Sequence, residues 1–165
     1  AQVARDAGAK VIELPSNLGK AAALLAGAEA APTELIVMVD ADLKGLEPGH
    51  IDKLLKPVLD NGYDMTVGIF TSGRIRTDLA QWLTPFLSGQ RALKKEILLS
   101  LKEYSDVKFG IDILLSRYAR RKGLKVKYVA MPNVTQIMKE EKMGFWTGLI
   151  ARLKMYWQII KAMRK

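Results

Sequence analysis

The sequence predicts an α/β fold built on a mostly parallel sheet flanked by helices, and three observations predict it. Apolar runs of strand length alternate with segments of helical periodicity, Gly, Pro and Asn punctuate the junctions, and 165 residues suffice for one domain with its own core. In sheets of this kind ligands gather at the carboxyl ends of the strands. One such end, Val39-Asp40-Ala41-Asp42, carries two acids.

Taken in order, residues 1–9 read as the end of a helix stopped by Gly8, and Lys10 to Leu14 as a short strand closed by Pro15. The alanine-rich stretch from Lys20 to Ala31 is strongly helical, entered through Ser16-Asn17-Leu18-Gly19 and ended by Pro32-Thr33. An apolar β-type run from Leu35 then gives way to the acid pair. Ile51, Leu54, Leu55, Val58 and Leu59 fall at helical spacing, with Pro57 expected to kink that helix and Asn61-Gly62 to end it. Asp64 to Phe70 is the next strand. Beyond it the alternation loosens: Thr71 to Thr77 is a polar, basic loop, and Leu79 to Leu87 is apolar and broken by Pro85. Ser88 to Leu93 leads into a helix or strand end, and Leu101 to Gly110 reads as loop. Ile111 to Lys122 forms a helix that Gly123 stops, and Lys125 to Met131 a last strand closed by Pro132.

Composition removes several chemistries. Without cysteine there is no disulfide framework, Cys-ligated zinc or thiol nucleophile, which fits the cytoplasm. His50 is the single histidine, set in Glu47-Pro48-Gly49-His50 with no nucleophile motif beside it, so a Ser-His-Asp triad is not expected. No apolar run reaches membrane-spanning length, and Ala1-Gln2-Val3-Ala4-Arg5-Asp6 lacks a signal peptide's basic start and apolar centre. The net charge of +9 favours anionic partners: sugar nucleotides, phospholipid headgroups or nucleic acid. Nucleic acid is not expected, because no recognised motif is present and the cations are dispersed apart from the C-terminal stretch.

Asp40 and Asp42 are spaced two apart, so on an extended backbone both carboxylates leave one face where strand turns to loop. Such a pair can hold Mg²⁺ or Mn²⁺, which take one or two carboxylates and complete their shell with waters and substrate phosphates. A nucleotide diphosphate conjugate is the natural substrate. The competing reading is a solvated strand end with Asp42 capping the next segment.

With Asn17-Leu18-Gly19-Lys20, the helix after it, Val39-Asp40-Ala41-Asp42, Ser88-Gly89-Gln90-Arg91 and Gly110-Ile111-Asp112, the chain resembles family 2-like nucleotide-sugar glycosyltransferases of the GT-A fold over nearly its whole length. It is similar in particular to the branch that includes glucosyl-3-phosphoglycerate synthases and polyprenyl-phosphate sugar transferases. The resemblance implies a UDP- or GDP-sugar donor, a phosphorylated or lipid-linked acceptor, and Mg²⁺ or Mn²⁺ as cofactor. It implies Asp42 as the direct metal ligand, with Asp40 and Ala41 on the nucleoside side of the donor. Asn17, Gly19 and Lys20 match the donor loop, where glycine permits close backbone approach and lysine offsets diphosphate charge near a helix N-terminus. Gly89, Gln90 and Arg91 match the loop facing the acceptor. Asp112 takes the place of the catalytic carboxylate, which in an inverting enzyme accepts the acceptor hydroxyl's proton; Asp106 is its rival.

Each residue also has a plainer reading: a glycine turn with a solvated Lys20, a surface cation at Arg91 beside Lys94 and Lys95, and a first-turn acid at Asp112 favoured by the helix dipole. Two departures from the family pattern stand out. Relatives open with two strands and loops that bind the base, and this sequence starts after both, which implies an incomplete base pocket and open sheet edges. Where many relatives supply a metal-binding histidine after the last strand, the nearest residue here is Gln136, which offers a carbonyl oxygen.

Residues 1–144 are thus expected to form the N-terminally incomplete catalytic domain and 145–165 a basic amphipathic helix. Phe145, Trp146, Leu149, Ile150, Leu153, Tyr156, Trp157, Ile160 and Met163 recur at helical steps, with Arg152, Lys154, Lys161, Arg164 and Lys165 beside them. Such a helix suits an anionic membrane interface, placing the protein peripherally on the inner face of the cell membrane; its alternatives are packing on its own domain or on a homodimer partner. Two other functional classes compete: a phosphotransferase using Asp40 as nucleophile, disfavoured because Asp40 follows other strand–helix units, and a non-catalytic anion-binding module.

Overall fold

The computed structural model describes residues 1–71, 88–104 and 110–136. The apolar stretch 79–87, Asp106 and the amphipathic segment 145–165 lie outside the described residues. The helices are α1 (Gln2–Asp6), α2 (Lys20–Ala30), α3 (Pro48–Asp60), α4 (Lys95–Leu99) and α5 (Ile111–Lys122), with a 3₁₀ turn at Lys102–Tyr104. The strands are β1 (Leu35–Met38), β2 (Leu43–Lys44), β3 (Met65–Phe70), β4 (Arg91–Lys94), β5 (Val126–Met131) and β6 (Thr135–Gln136).

The main sheet has the order β1-β4-β3-β5. β3 and β5 are parallel, from Met65 opposite Val126 to Phe70 opposite Met131. β4 runs antiparallel to both β1 and β3, so β1, β3 and β5 share one direction and β4 alone opposes them. The mostly parallel sheet is therefore present, with one reversed strand inserted at its centre. That reversal brings Ser88-Gly89-Gln90, which lead into β4, to the carboxyl ends of β1 and β3, where Met38 and Val67 both face Arg91.

Helices cover both faces, which is why β3 is apolar at nearly every position rather than alternating. One face packs Ala21, Leu25 and Ala28 of α2 with Met65, Val67, Leu93, Leu98, Ile111 and Leu115. The α2 residues stand at i, i+4 and i+7, the stripe a helix lays on a sheet. The other face packs Leu54 of α3 on Phe70, Ala92, Met131 and Val134. Thr66, fully buried among them, donates to the Leu54 carbonyl at 2.8 Å and accepts from the Ala92 N–H at 3.2 Å, stitching helix to sheet.

Three expectations change. Lys10 to Leu14 form no strand: a strand needs a ladder partner, and among the described residues none lies beside this segment. α3 begins at Pro48 rather than Ile51 and runs through Pro57. Proline at the first helical position costs no hydrogen bond. His50 completes that start by accepting the Glu47 N–H on Nδ1 at 3.1 Å, which leaves the proton on Nε2 to donate to the Pro132 carbonyl at 3.0 Å. Finally, β1 ends at Met38 and Ala41-Asp42 lie in a turn, so the two-residue period of a strand does not extend to Asp42.

The small β2–β6 ladder brings the chain after β5 back to the acid pair, with Leu43 opposite Gln136. Its approach is tight. A Cβ on Gly45 would lie 2.2 Å from the Asn133 carbonyl oxygen, and Gly45 holds φ +75°. His50, through Pro132, anchors the same turn to α3.

Candidate active site

Five polar side chains from separated parts of the chain meet at the carboxyl ends of β1 and β3. Lys20, first residue of α2, extends its Nζ to Asp40 Oδ1 at 3.0 Å and to Asp112 Oδ2 at 3.0 Å. Asp40 Oδ2 accepts from Gln90 Nε2 and from Gln136 Nε2, each at 3.0 Å. Asp40 is therefore the carboxylate on which the cluster converges, while Asp42 sits half-buried in the turn that follows and Ala41 is exposed.

Local sequence explains each approach. Asn17 Oδ1 accepts the Gly19 N–H at 3.1 Å, an Asx turn that swings the backbone into α2. Gly19 then adopts φ 89°, ψ 173°, a region that residues with a Cβ rarely enter. Lys20 is thereby set at the helix N-terminus rather than in solvent, against the reading of a solvated lysine. Gly89 contributes by having no side chain: a Cβ there would lie 2.6 Å from Asp40 Oδ2 and 2.7 Å from Lys20 Nζ.

Arg91 is not a surface cation. Its side chain is fully buried, with Nε donating to the Ser88 carbonyl at 2.9 Å and one terminal nitrogen to the Asp112 carbonyl at 2.9 Å and Ser116 Oγ at 3.0 Å. It clamps the 88–90 loop to the first turn of α5. Lys95, its proposed neighbour in a basic stretch, turns outward to Glu34 and the Ala31 carbonyl.

Asp112 lies in the first turn of α5, whose N-cap Gly110 has no side-chain capping bond. The carboxylate is turned to Lys20 instead, and its Oδ1 is buried with no hydrogen-bond partner among the described residues. Burial raises the Asp112 carboxyl above the usual carboxylate range. Lys20 and Arg91 pull it back only in part, and the charge of Asp40 adds to the rise. Burial pulls the Lys20 ammonium down, but Asp112 and Asp40 together outweigh it and hold Lys20 above the usual lysine value. Burial lowers Arg91, which Asp112 partly offsets; the guanidinium stays charged at neutral pH.

The donor set at the acid pair suits a hard divalent cation shared with a substrate. Asp42 offers carboxylate oxygen, and Gln136, its amide nitrogen committed to Asp40, has a carbonyl oxygen. Among the described residues no three or more His, Cys, Asp or Glu cluster to enclose a metal, so these residues supply only part of a shell. Magnesium sites completed by phosphates and water are built this way.

The structure thus brings together Lys20, Asp40, Gly89, Gln90, Asp112 and Gln136, with Asn17, Gly19 and Arg91 as their supports. Two further residues, to which the sequence assigned no role, support the site. Ser88 donates to the Gly68 carbonyl at 2.6 Å and fixes the loop entering β4. Ser116 bonds back to the Asp112 carbonyl at 2.9 Å. Its position four residues after Asp112 on one helix was the available signal, since serine often bonds to the carbonyl at i−4.

A helix-covered α/β sheet with one reversed strand and an acidic cluster at its strand ends is a GT-A fold, and solved structures share it. Glucosyl-3-phosphoglycerate synthase from Mycobacterium tuberculosis with Mn²⁺ and UDP-glucose superposes with a TM-score of 0.61 at 23% identity, over 81% of this chain and 54% of that one. The same synthase with Mn²⁺, UDP-glucose and phosphoglyceric acid gives 0.59 at 22% identity, over 90% and 62%. With Mg²⁺ and UDP it gives 0.60 at 21% identity, again over 90% and 62%. This chain therefore spans between 54% and 62% of the length of those structures. No curated protein compared with the chain matches it. Residues 1–131 match the model of glycosyl transferase family 2, and the chain belongs to that family. No helix among the described residues is long and apolar enough to cross a membrane.

Proposed function

We propose that this chain carries the catalytic centre of a transferase that moves a sugar from a UDP-sugar to a phosphorylated acceptor, with Mg²⁺ or Mn²⁺ bound at the Asp40–Asp42 strand end. The observation that carries the reading is the convergence of Lys20, Asp40 and Asp112, with a buried Asp112 oxygen that has no hydrogen-bond partner among the described residues. The Mn²⁺- or Mg²⁺-bound UDP and UDP-glucose complexes of the M. tuberculosis synthase support the donor class, and its phosphoglyceric acid complex supports the acceptor class.

In this reading Asn17, Gly19 and Lys20 receive the donor diphosphate at the N-terminus of α2, where backbone N–H groups and an ammonium face an anion together. Asp42, with the Gln136 carbonyl, would hold the cation, which supplies charge neutralisation for the departing diphosphate. Asp40 and Ala41 lie towards the nucleoside. Transfer breaks the bond between the sugar C1 and the phosphate oxygen and forms one to the acceptor oxygen, whose proton must leave. Asp112 Oδ1 receives that hydroxyl: in an inverting transfer it takes the proton, and in a retaining one it orients the hydroxyl while the leaving phosphate takes it. Gly89 and Gln90 close the acceptor side, and Arg91 holds the loop in place.

Calorimetry with UDP and GDP, each with and without Mn²⁺, tests the reading on the intact protein and on Asp42→Ala. Metal-dependent UDP binding that the variant loses is expected. Metal-independent binding of any polyanion, unchanged in Asp42→Ala, would leave only an anion-binding module.

A further inference from the structure

Asp40 is engaged through both of its oxygens. Oδ1 holds the Lys20 ammonium and Oδ2 holds the amides of Gln90 and Gln136, all at 3.0 Å. Lys20 continues to Asp112 Oδ2, so its charge lies between two carboxylates, where a cation would otherwise balance them. Gly89 closes over this arrangement so tightly that even a methyl group would collide with Lys20 Nζ and Asp40. With Asp40 so engaged, a metal at the acid pair would meet a positive charge already in place. Among the described residues no group of three or more His, Cys, Asp or Glu is placed to hold a metal.

We propose that Lys20 makes metal binding conditional on the donor: without nucleotide its ammonium occupies the acidic strand end, and the diphosphate opens the site to Mg²⁺ or Mn²⁺ by drawing Lys20 off Asp40. A partly desolvated ammonium leaves two carboxylates only for another anion. The N-terminus of α2, capped by no side chain, is where such an anion is favoured, within reach of the same flexible stem. A diphosphate also brings the oxygen ligands that a divalent cation still lacks there. Coupling is reciprocal, so the metal must strengthen nucleotide binding by the factor by which nucleotide strengthens metal binding. The inference rests on the nucleotide-sugar reading.

The test is Mn²⁺ binding, read from the electron paramagnetic resonance of the free ion, on the intact protein with and without saturating UDP. The wild type should bind Mn²⁺ more tightly with UDP by a factor in the range of roughly 5–150 typical of coupled sites. Lys20→Met should bind Mn²⁺ about tenfold more tightly than wild type in the absence of UDP, with the gain from UDP correspondingly reduced. Lys20→Gln provides the same comparison if the methionine variant does not fold. If the wild type binds Mn²⁺ with UDP but neither variant improves binding of Mn²⁺ alone, the gate is overturned and the donor reading stands. A wild type whose Mn²⁺ affinity ignores UDP also overturns the gate. A wild type that binds neither UDP nor Mn²⁺ in combination overturns both.

Discussion

Arg91 ties the fold to the site, and replacing it by methionine separates the two roles. The guanidinium is fully buried and serves the Ser88 carbonyl, the Asp112 carbonyl and Ser116 Oγ at 2.9, 2.9 and 3.0 Å. Methionine matches much of its length but donates nothing, so buried acceptors lose their charged partner and the nearby Asp112 loses a cation. Removing one member of a buried charged set typically costs about 3–5 kcal/mol. A urea midpoint should fall accordingly, by roughly 1–5 M for an m-value of about 1–3 kcal/mol/M, with m itself unchanged. The same substitution should move Asp112 in a predictable direction. Arg91 pulls that carboxyl down against burial, so its loss lets burial raise it further, measurable by carbon NMR titration of the labelled aspartate. Buried ion pairs can sometimes be exchanged for apolar side chains without cost. An Arg91→Met protein as stable as wild type, with the Asp112 titration unmoved, would refute the clamp.

Other expectations follow from the same geometry. Gly89→Ala places a methyl 2.6 Å from Asp40 Oδ2 and 2.7 Å from Lys20 Nζ; it should cost about 1–3 kcal/mol in denaturation and lower sugar transfer about 100-fold. Transfer at the wild-type rate would show that the loop has slack. Because the folded Asp112 carboxyl is raised, the folded state holds its proton to higher pH than the unfolded chain. The stability this group contributes is full below the ordinary carboxylate value and is lost as pH rises through the raised one. Urea midpoints followed over roughly pH 3 to 7 should therefore fall less steeply, or rise more, in Asp112→Asn than in wild type; identical profiles would count against the buried carboxyl. Thr66→Val removes the donor to Leu54 and the acceptor for Ala92, and should cost about 1–3 kcal/mol in the melting curve without altering Mn²⁺–UDP affinity.

Much of the fold was legible because the relevant signals are local. The alanine-rich α2, the apolar stripe of α3 and the Gly123 stop of α5 lie within short windows, and those helices stand close to where they are read. The strand expected at Lys10 to Leu14 has the right composition, but among the described residues it has no ladder partner, and a short sequence window does not reveal pairing. Ser88 to Leu93 remained ambiguous between helix and strand for the converse reason: Arg91 to Lys94 become β4 because β1 and β3 offer backbone on both sides. Asp42 shows the limit of periodicity, since two-residue alternation applies only while the chain is extended, and β1 stops at Met38.

The sequence alone determined which residue types the site would contain: acids after an apolar strand, a glycine and lysine at a helix start, and an acid at another. These follow from capping, backbone freedom and charge within a few residues. Only the tertiary structure decided how they combine. It placed Lys20 between Asp40 and Asp112, 20 and 92 residues away in the chain, and turned Arg91 inward as a clamp. It also set the exposed Gln136 amide against Asp40. The physical reason is that a buried charge must find its partner wherever packing delivers one, and sequence distance does not enter that requirement.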